Sequence, residues 1–167
     1  MANTRLNLST RFLCFQIGAS MEGVIEKSEI GTNNRSIEVG IHESERLLVI
    51  CRHFTEEEMS QRQESFPYTA ICLPKHNVEK LISIRDTLRA GLGEVSMGLP
   101  VDNRRADIGH DLYVTLDTPS HTAQVRRFWK KRSGGMGPTK SGVSMSPNEM
   151  MNLLAVLDEK YEKMKSM

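Results

Sequence analysis

The chain has 167 residues, 38% of them hydrophobic, with 22 Lys+Arg against 21 Asp+Glu and a formal charge of +1. That is enough apolar content for one domain or two small ones, and the balance excludes a uniformly basic, histone-like protein. No uninterrupted apolar run is longer than that of residues 47–51, far below the roughly 20 residues of a spanning helix, and no apolar N-terminal segment precedes a small-residue cleavage site, so neither a membrane nor a secreted protein is expected.

In chain order, residues 1–10 are expected to be a flexible N-terminus. Segments rich in branched and aromatic residues, bounded by Gly, Asn and Ser, then predict strands at 11–18, 37–41, 46–54 and 68–73. A helix is expected over 74–89, with Val78, Leu81, Ile82 and Leu88 on one face, and Ala90-Gly91-Leu92-Gly93 reads as the hinge that ends it. Strands are predicted again at 94–97, 111–116, 121–129 and 142–145. Ser146-Pro147-Asn148-Glu149 is a capping box with proline at the first helical position, and Met150, Leu153, Leu154, Leu157, Tyr161 and Met164 continue it as one apolar helical stripe. Cys14, Cys51 and Cys72 form no close sequence pair and sit among apolar neighbours, which reads as three reduced core thiols.

Four strands and a helix thus occur twice, with a period of about 74 residues. Arg52-His53-Phe54 lines up with Arg126-Arg127-Phe128, Met59 falls near Met136, Ala70-Ile71-Cys72-Leu73 answers Gly142-Val143-Ser144-Met145, and Val78 with Leu81 answers Met150 with Leu153. The expected fold class is α+β: two copies of a four-stranded antiparallel sheet followed by one helix, at 11–92 and 93–167. The copies would pair as an intrachain pseudo-dimer or between two chains. Charge distinguishes them. Residues 1–92 hold 11 basic against 12 acidic side chains and residues 93–167 hold 11 against 9. Arg126, Arg127, Lys130, Lys131, Arg132 and Lys140 occur in one stretch without an acid, a local excess that matters to a polyanion.

The run Val125-Arg126-Arg127-Phe128-Trp129, followed by Gly134-Gly135-Met136-Gly137-Pro138-Thr139-Lys140-Ser141-Gly142-Val143-Ser144-Met145-Ser146-Pro147, resembles the signature of the transcriptional positive cofactor four family, the Sub-one type of single-stranded-DNA-binding coactivator. Phe15-Gln16-Ile17-Gly18 resembles the family's first-strand motif, with Val95-Ser96-Met97-Gly98 as its weaker second copy. The resemblance implies a dimerising sheet-and-helix domain that holds unpaired or melted DNA, works with the transcription machinery and resides in the nucleus. Carried over residue by residue, Arg126, Trp129 and Lys140 match DNA-contacting positions, and Lys130, Lys131 and Arg132 add charge.

The physical reading of the same residues agrees. Unpaired strands are held by cations along the phosphates and by flat side chains stacked on bases. Here five cations, Arg126, Arg127, Lys130, Lys131 and Arg132, surround Phe128 and the chain's one tryptophan, Trp129. On composition alone a lone aromatic ending a strand is more often core, and a charge run more often a solvated hairpin tip. The flanking cations together with the resemblance favour a base-contacting Trp129.

Departures shape the expectation. Asp117-Thr118-Pro119-Ser120-His121 stands where the family carries an aromatic residue and lysines. Ser141 and Gly137 replace basic residues, Thr55 stands in place of Trp129, and Glu56-Glu57-Glu58 replaces the cationic run. Copy one is therefore expected to be structural or protein-binding and copy two to carry the nucleic acid, the alternative being a protein-interaction module that has lost most DNA affinity. The sequence has no nucleophile motif or phosphate-binding loop, and its five histidines show no ligand spacing. Neither an enzyme, a metal site nor a cofactor is expected.

Overall fold

The computed structural model describes residues 21–63, 66–101 and 104–167. The expected N-terminal tail and the strand at 11–18 with its Phe15-Gln16-Ile17-Gly18 motif lie outside the described residues. The first copy comprises β1 (Val24–Glu29), β2 (Ser36–His42), β3 (Leu47–His53), α1 (Glu56–Arg62), β4 (Tyr68–Leu73), α2 (Lys75–Ser83) and α3 (Arg85–Ser96). The second comprises β5 (Arg105–Gly109), β6 (Leu112–Asp117), β7 (Thr122–Lys130), β8 (Met136–Met145) and α4 (Pro147–Ser166). The sheets are antiparallel meanders, ordered β1-β2-β3-β4 and β5-β6-β7-β8. The chain is thus α+β, with two four-stranded antiparallel sheets, each followed by helix.

Strand alternation decides where the core lies. Ile37, Val39, Ile41, Leu48, Ile50, Ile71 and Leu73 of the first sheet share one buried cluster with Leu112, Val114, Leu116, Val125, Val143 and Met145 of the second. Helical Val78, Leu81, Leu88, Leu92, Leu153, Leu154 and Leu157 complete it. One core spanning both copies makes them an intrachain pseudo-dimer. The helix starts lock this pairing by exchanging grips on the opposite copy's first turn. The fully buried Glu149 carboxylate of α4 accepts from the Thr32 amide at 2.9 Å and pairs with Arg35 at 2.8 Å. Asn77, at the corresponding place in α2, donates to the carbonyls of Ile108 and Gly109 at 2.8 and 2.9 Å.

Several expectations are corrected. The helix expected over 74–89 is two helices that break at Ile84, and the second continues to Ser96. Ala90-Gly91-Leu92-Gly93 is therefore helical and not a hinge, the boundary drawn at residues 92 and 93 falls within α3, and 94–97 is the end of that helix and not a strand. Gly91 serves packing: a Cβ there would lie 2.6 Å from Leu116 Cδ1 of the other copy. Among the described residues the first strand of each sheet is an edge strand, β1 and β5, each with a single buried residue and little apolar alternation. Their matched motif is Glu29-Ile30-Gly31 and Asp107-Ile108-Gly109, in which each carboxylate accepts the glycine amide, at 3.1 and 2.7 Å. The acidic run Glu56-Glu57-Glu58 opens the helix α1, started by a capping box between Thr55 and Glu58. Cys72 is disulfide-bonded, against the expectation of three reduced thiols.

Candidate nucleic-acid interface

The pairing register fixes which residues of the two copies correspond. Leu48 faces Leu73 and Ala123 faces Met145, and Leu73 and Met145 each immediately precede a helix N-cap. Arg52 therefore corresponds to Arg127, one position away from the sequence alignment, and both are buried at 5% exposure. Arg52 donates to the Ser144 carbonyl at 3.3 Å and Arg127 to the His110 carbonyl at 3.0 Å. Arg127, expected among the phosphate-binding residues, is thus a buried structural cation and is not brought to the surface cluster.

The same register compares the outer faces of the sheets. Leu47, Val49 and Cys51 on β3 correspond to Thr122, Gln124 and Arg126 on β7, and Cys72 on β4 corresponds to Ser144 on β8. The first set is buried in an apolar cluster with Met21 and Val24, whereas the second is polar and half-exposed. Burial among these neighbours pushes the Cys51 thiol up to about 12.

The open face of the second sheet is built around two rings. Tyr113 on β6 meets Phe128 on β7 edge to face, with ring centroids 5.1 Å apart. The exposed Arg105 on β5 lays its guanidinium over both, 5.1 and 5.5 Å from the centroids. Phe128 is buried, so it supports the platform, while Arg105 and the half-exposed Tyr113 form its surface. Beside them Arg126 is held by Gln124 Oε1 at 2.8 Å and by the Thr139 carbonyl at 2.9 Å, and burial lowers its pKa from the ordinary arginine value.

The Thr139 contact comes from an irregularity in β8. Arg126 faces Gly142 but Phe128 faces Pro138, so β8 carries extra residues that oppose Arg127 and bend the hairpin. Thr139 Oγ1 closes this bulge by donating to the Arg127 carbonyl at 2.7 Å. Gly142 permits the close approach, because a Cβ there would meet the Val125 carbonyl oxygen at 2.8 Å.

Beyond the bulge, the β7–β8 hairpin carries Trp129, 49% exposed, together with exposed Lys130, Lys131 and Arg132, and exposed Lys140 on β8. Gly137, which departs from the family pattern, has a local reason. A Cβ at that position would come within 2.7 Å of Lys131 Cε and 3.0 Å of Trp129 Nε1, so its absence gives the indole and the lysine stem their place on one side of the hairpin. Copy one has a short acidic helix where this hairpin stands. Glu58 pairs with Arg52 at 3.2 Å, and Arg52 and Arg62 cover Phe54 at 4.9 and 5.4 Å. The other departure, the β6–β7 turn, is bonded within itself and, through the Thr118 hydroxyl, to the Leu99 carbonyl at 2.6 Å. Asp117 accepts from the amide and hydroxyl of Ser120, which hold its carboxyl below the usual range.

The structure therefore brings Trp129, Lys130, Lys131, Arg132 and Lys140 to one hairpin and seats Arg126 at its base. Sequence reasoning missed Arg105, Tyr113 and Gln124. The signal lay in the Arg104-Arg105 pair and in a tyrosine alternating with Leu112, Val114 and Leu116, which places it on the face opposite the core. No family model, curated protein or solved structure matches the chain.

Proposed function

We propose that this protein binds unpaired nucleic acid, single-stranded or melted DNA above all, on the outer face of its second sheet and along the β7–β8 hairpin. The observation that carries this reading is the exchange of Leu47, Val49 and Cys51 for Thr122, Gln124 and Arg126 at corresponding positions. One face is filled with apolar side chains, and the other offers polar and cationic groups beside the Arg105 and Tyr113 platform. Lys130, Lys131, Arg132 and Lys140 neutralise phosphates, Arg126 fixes the strand at the hairpin base, and Trp129 stacks on a base. Planar guanidinium and aromatic surfaces accept any base, so sequence preference is weak. As the family resemblance implies, the activity belongs to a transcriptional coactivator of the nucleus that captures melted strands.

The test is fluorescence anisotropy of a labelled oligo(dT) of about 20 nucleotides, long enough to cover one sheet face, with the matching duplex as competitor. Binding should prefer the single strand, weaken with salt, saturate at one strand per chain and quench Trp129. Trp129→Ala should cost about 1–3 kcal/mol, the worth of one stacked base. Absence of binding at low salt refutes the reading. It would favour a protein-interaction module, the reading to which the absence of cations from the β6–β7 turn inclines.

A further inference from the structure

The tip of the β7–β8 hairpin contains a residue that strand binding does not use. Ser133 directly follows Lys130-Lys131-Arg132, and no other serine or threonine of the chain has a cation at each of the three preceding positions. It lies in the exposed segment 131–135 between the strands. This turn is closed by two backbone bonds, Lys131 N to the Gly135 carbonyl at 3.0 Å and Gly134 N to the Lys131 carbonyl at 3.1 Å. Gly134 and Gly135 follow the serine, and a Cβ at either would meet nothing within 4 Å. The approach to Ser133 is therefore open, and its hydroxyl is bonded to no described residue.

We propose that Ser133 is the acceptor of a basophilic serine/threonine protein kinase, and that its phosphorylation releases the bound strand. The inference rests on the nucleic-acid reading above. Kinases of this class recognise cations on the N-terminal side of the acceptor through carboxylates around their own active site, which the run at 130–132 suits. In the transfer, Ser133 Oγ bonds to the γ-phosphorus of ATP as the bond to the bridging oxygen breaks. ADP departs and the hydroxyl proton passes to the kinase's base. The new group carries about −1.5 to −2 charge at neutral pH. It therefore offsets about two of the three adjoining cations, gives them an internal partner and repels the phosphates of an incoming strand.

The full chain is incubated with ATP and the catalytic subunit of cyclic-AMP-dependent protein kinase, and the modified position is read by tandem mass spectrometry. Labelled oligo(dT) is then titrated with modified and unmodified protein across a salt series. One phosphate is expected on Ser133, with affinity lowered about 25-fold at 0.1 M salt and the salt slope flattened by about 1.4, the loss of two phosphate contacts. Ser133→Ala should take up no phosphate and bind as the wild type does. No uptake, uptake at another residue, or a phosphate on Ser133 with unchanged affinity overturns the inference. An unmodified chain that binds no oligonucleotide overturns the nucleic-acid reading and the release with it, and is recognised before kinase is added.

Discussion

Replacing Lys130 and Lys131 together by glutamine tests the interface through its salt dependence. Arg105, Lys130, Lys131, Arg132 and Lys140 are exposed along the proposed path, whereas the Arg126 guanidinium is already bonded to Gln124 and Thr139. If each exposed cation displaces one counterion from a single strand, the slope of log K against log salt is about −3.5, and removing two cations brings it to about −2.1. The same relation makes each contact worth about fivefold at 0.1 M, so the double variant should bind roughly 25-fold more weakly there and converge on the wild type near 1 M. Glutamine retains a polar stem, which matters at Lys131 because its Cε lies beside the space that Gly137 leaves open. Anisotropy of labelled oligo(dT) at five or more salt concentrations measures both quantities. An unchanged slope would show that the hairpin cations do not touch the strand, and the interface argued from them would be wrong.

Other expectations follow from buried groups. Arg127→Met should lower stability by about 1–3 kcal/mol in urea denaturation, because the His110 carbonyl loses its donor, and should leave the salt slope unaltered. A changed slope would return Arg127 to the interface. Glu149→Ala removes a capping box and leaves the Thr32 amide and Arg35 without their partner across the copies. The expected cost is about 3 kcal/mol, which for a chain of this size lowers the melting temperature by about 6–12 °C in calorimetry. A shift within 2 °C would mean that the exchanged grips add nothing. The Cys51 thiol, raised from 9.0 to about 12 by burial, favours the fold while it is protonated. Its contribution should be constant below pH 9 and be lost as the pH rises from 9 towards 12. Denaturation of Cys51→Ala across that range should lack this part of the decline, and identical curves for the two proteins would refute it.

The fold was legible in the sequence wherever side chains alternate into a core. β2, β3, β4, β6 and β7 each have one face in the shared cluster, and α4 announces itself through Ser146, Pro147 and Glu149. What failed to show has physical causes. β1 and β5 are edge strands with one buried residue each, so their pattern carries little hydrophobic period. α1 has no buried residue, and only its Thr55 and Glu58 cap betrays it. Gly91 looks like a stop but is a point of close packing against Leu116. At the candidate site the grouping of the cations and Trp129 at one strand end was readable, whereas the placement of Arg126 and Arg127 was not separable. Adjacent residues of a strand point to opposite faces, and only the pairing register says which of the two arginines turns inward.

That register also explains how one chain can keep a costly open face. A half-buried Arg126, held by Gln124 and Thr139, and an exposed Trp129 contribute little to stability and oppose it where charge is desolvated. In the other copy the corresponding positions do the reverse: Leu47, Val49 and Cys51 bury their side chains with Met21, Val24 and Cys72, each large apolar group adding about 1.5–3 kcal/mol. Because the two copies share a single core and exchange grips through Asn77 and Glu149, stability gained on the first sheet is available to the whole molecule. Two sheets in one chain thus separate two demands that a symmetric dimer must meet twice on the same surface. One copy supplies rigidity, and its partner is free to carry a polar platform and a charged hairpin suited to holding a strand.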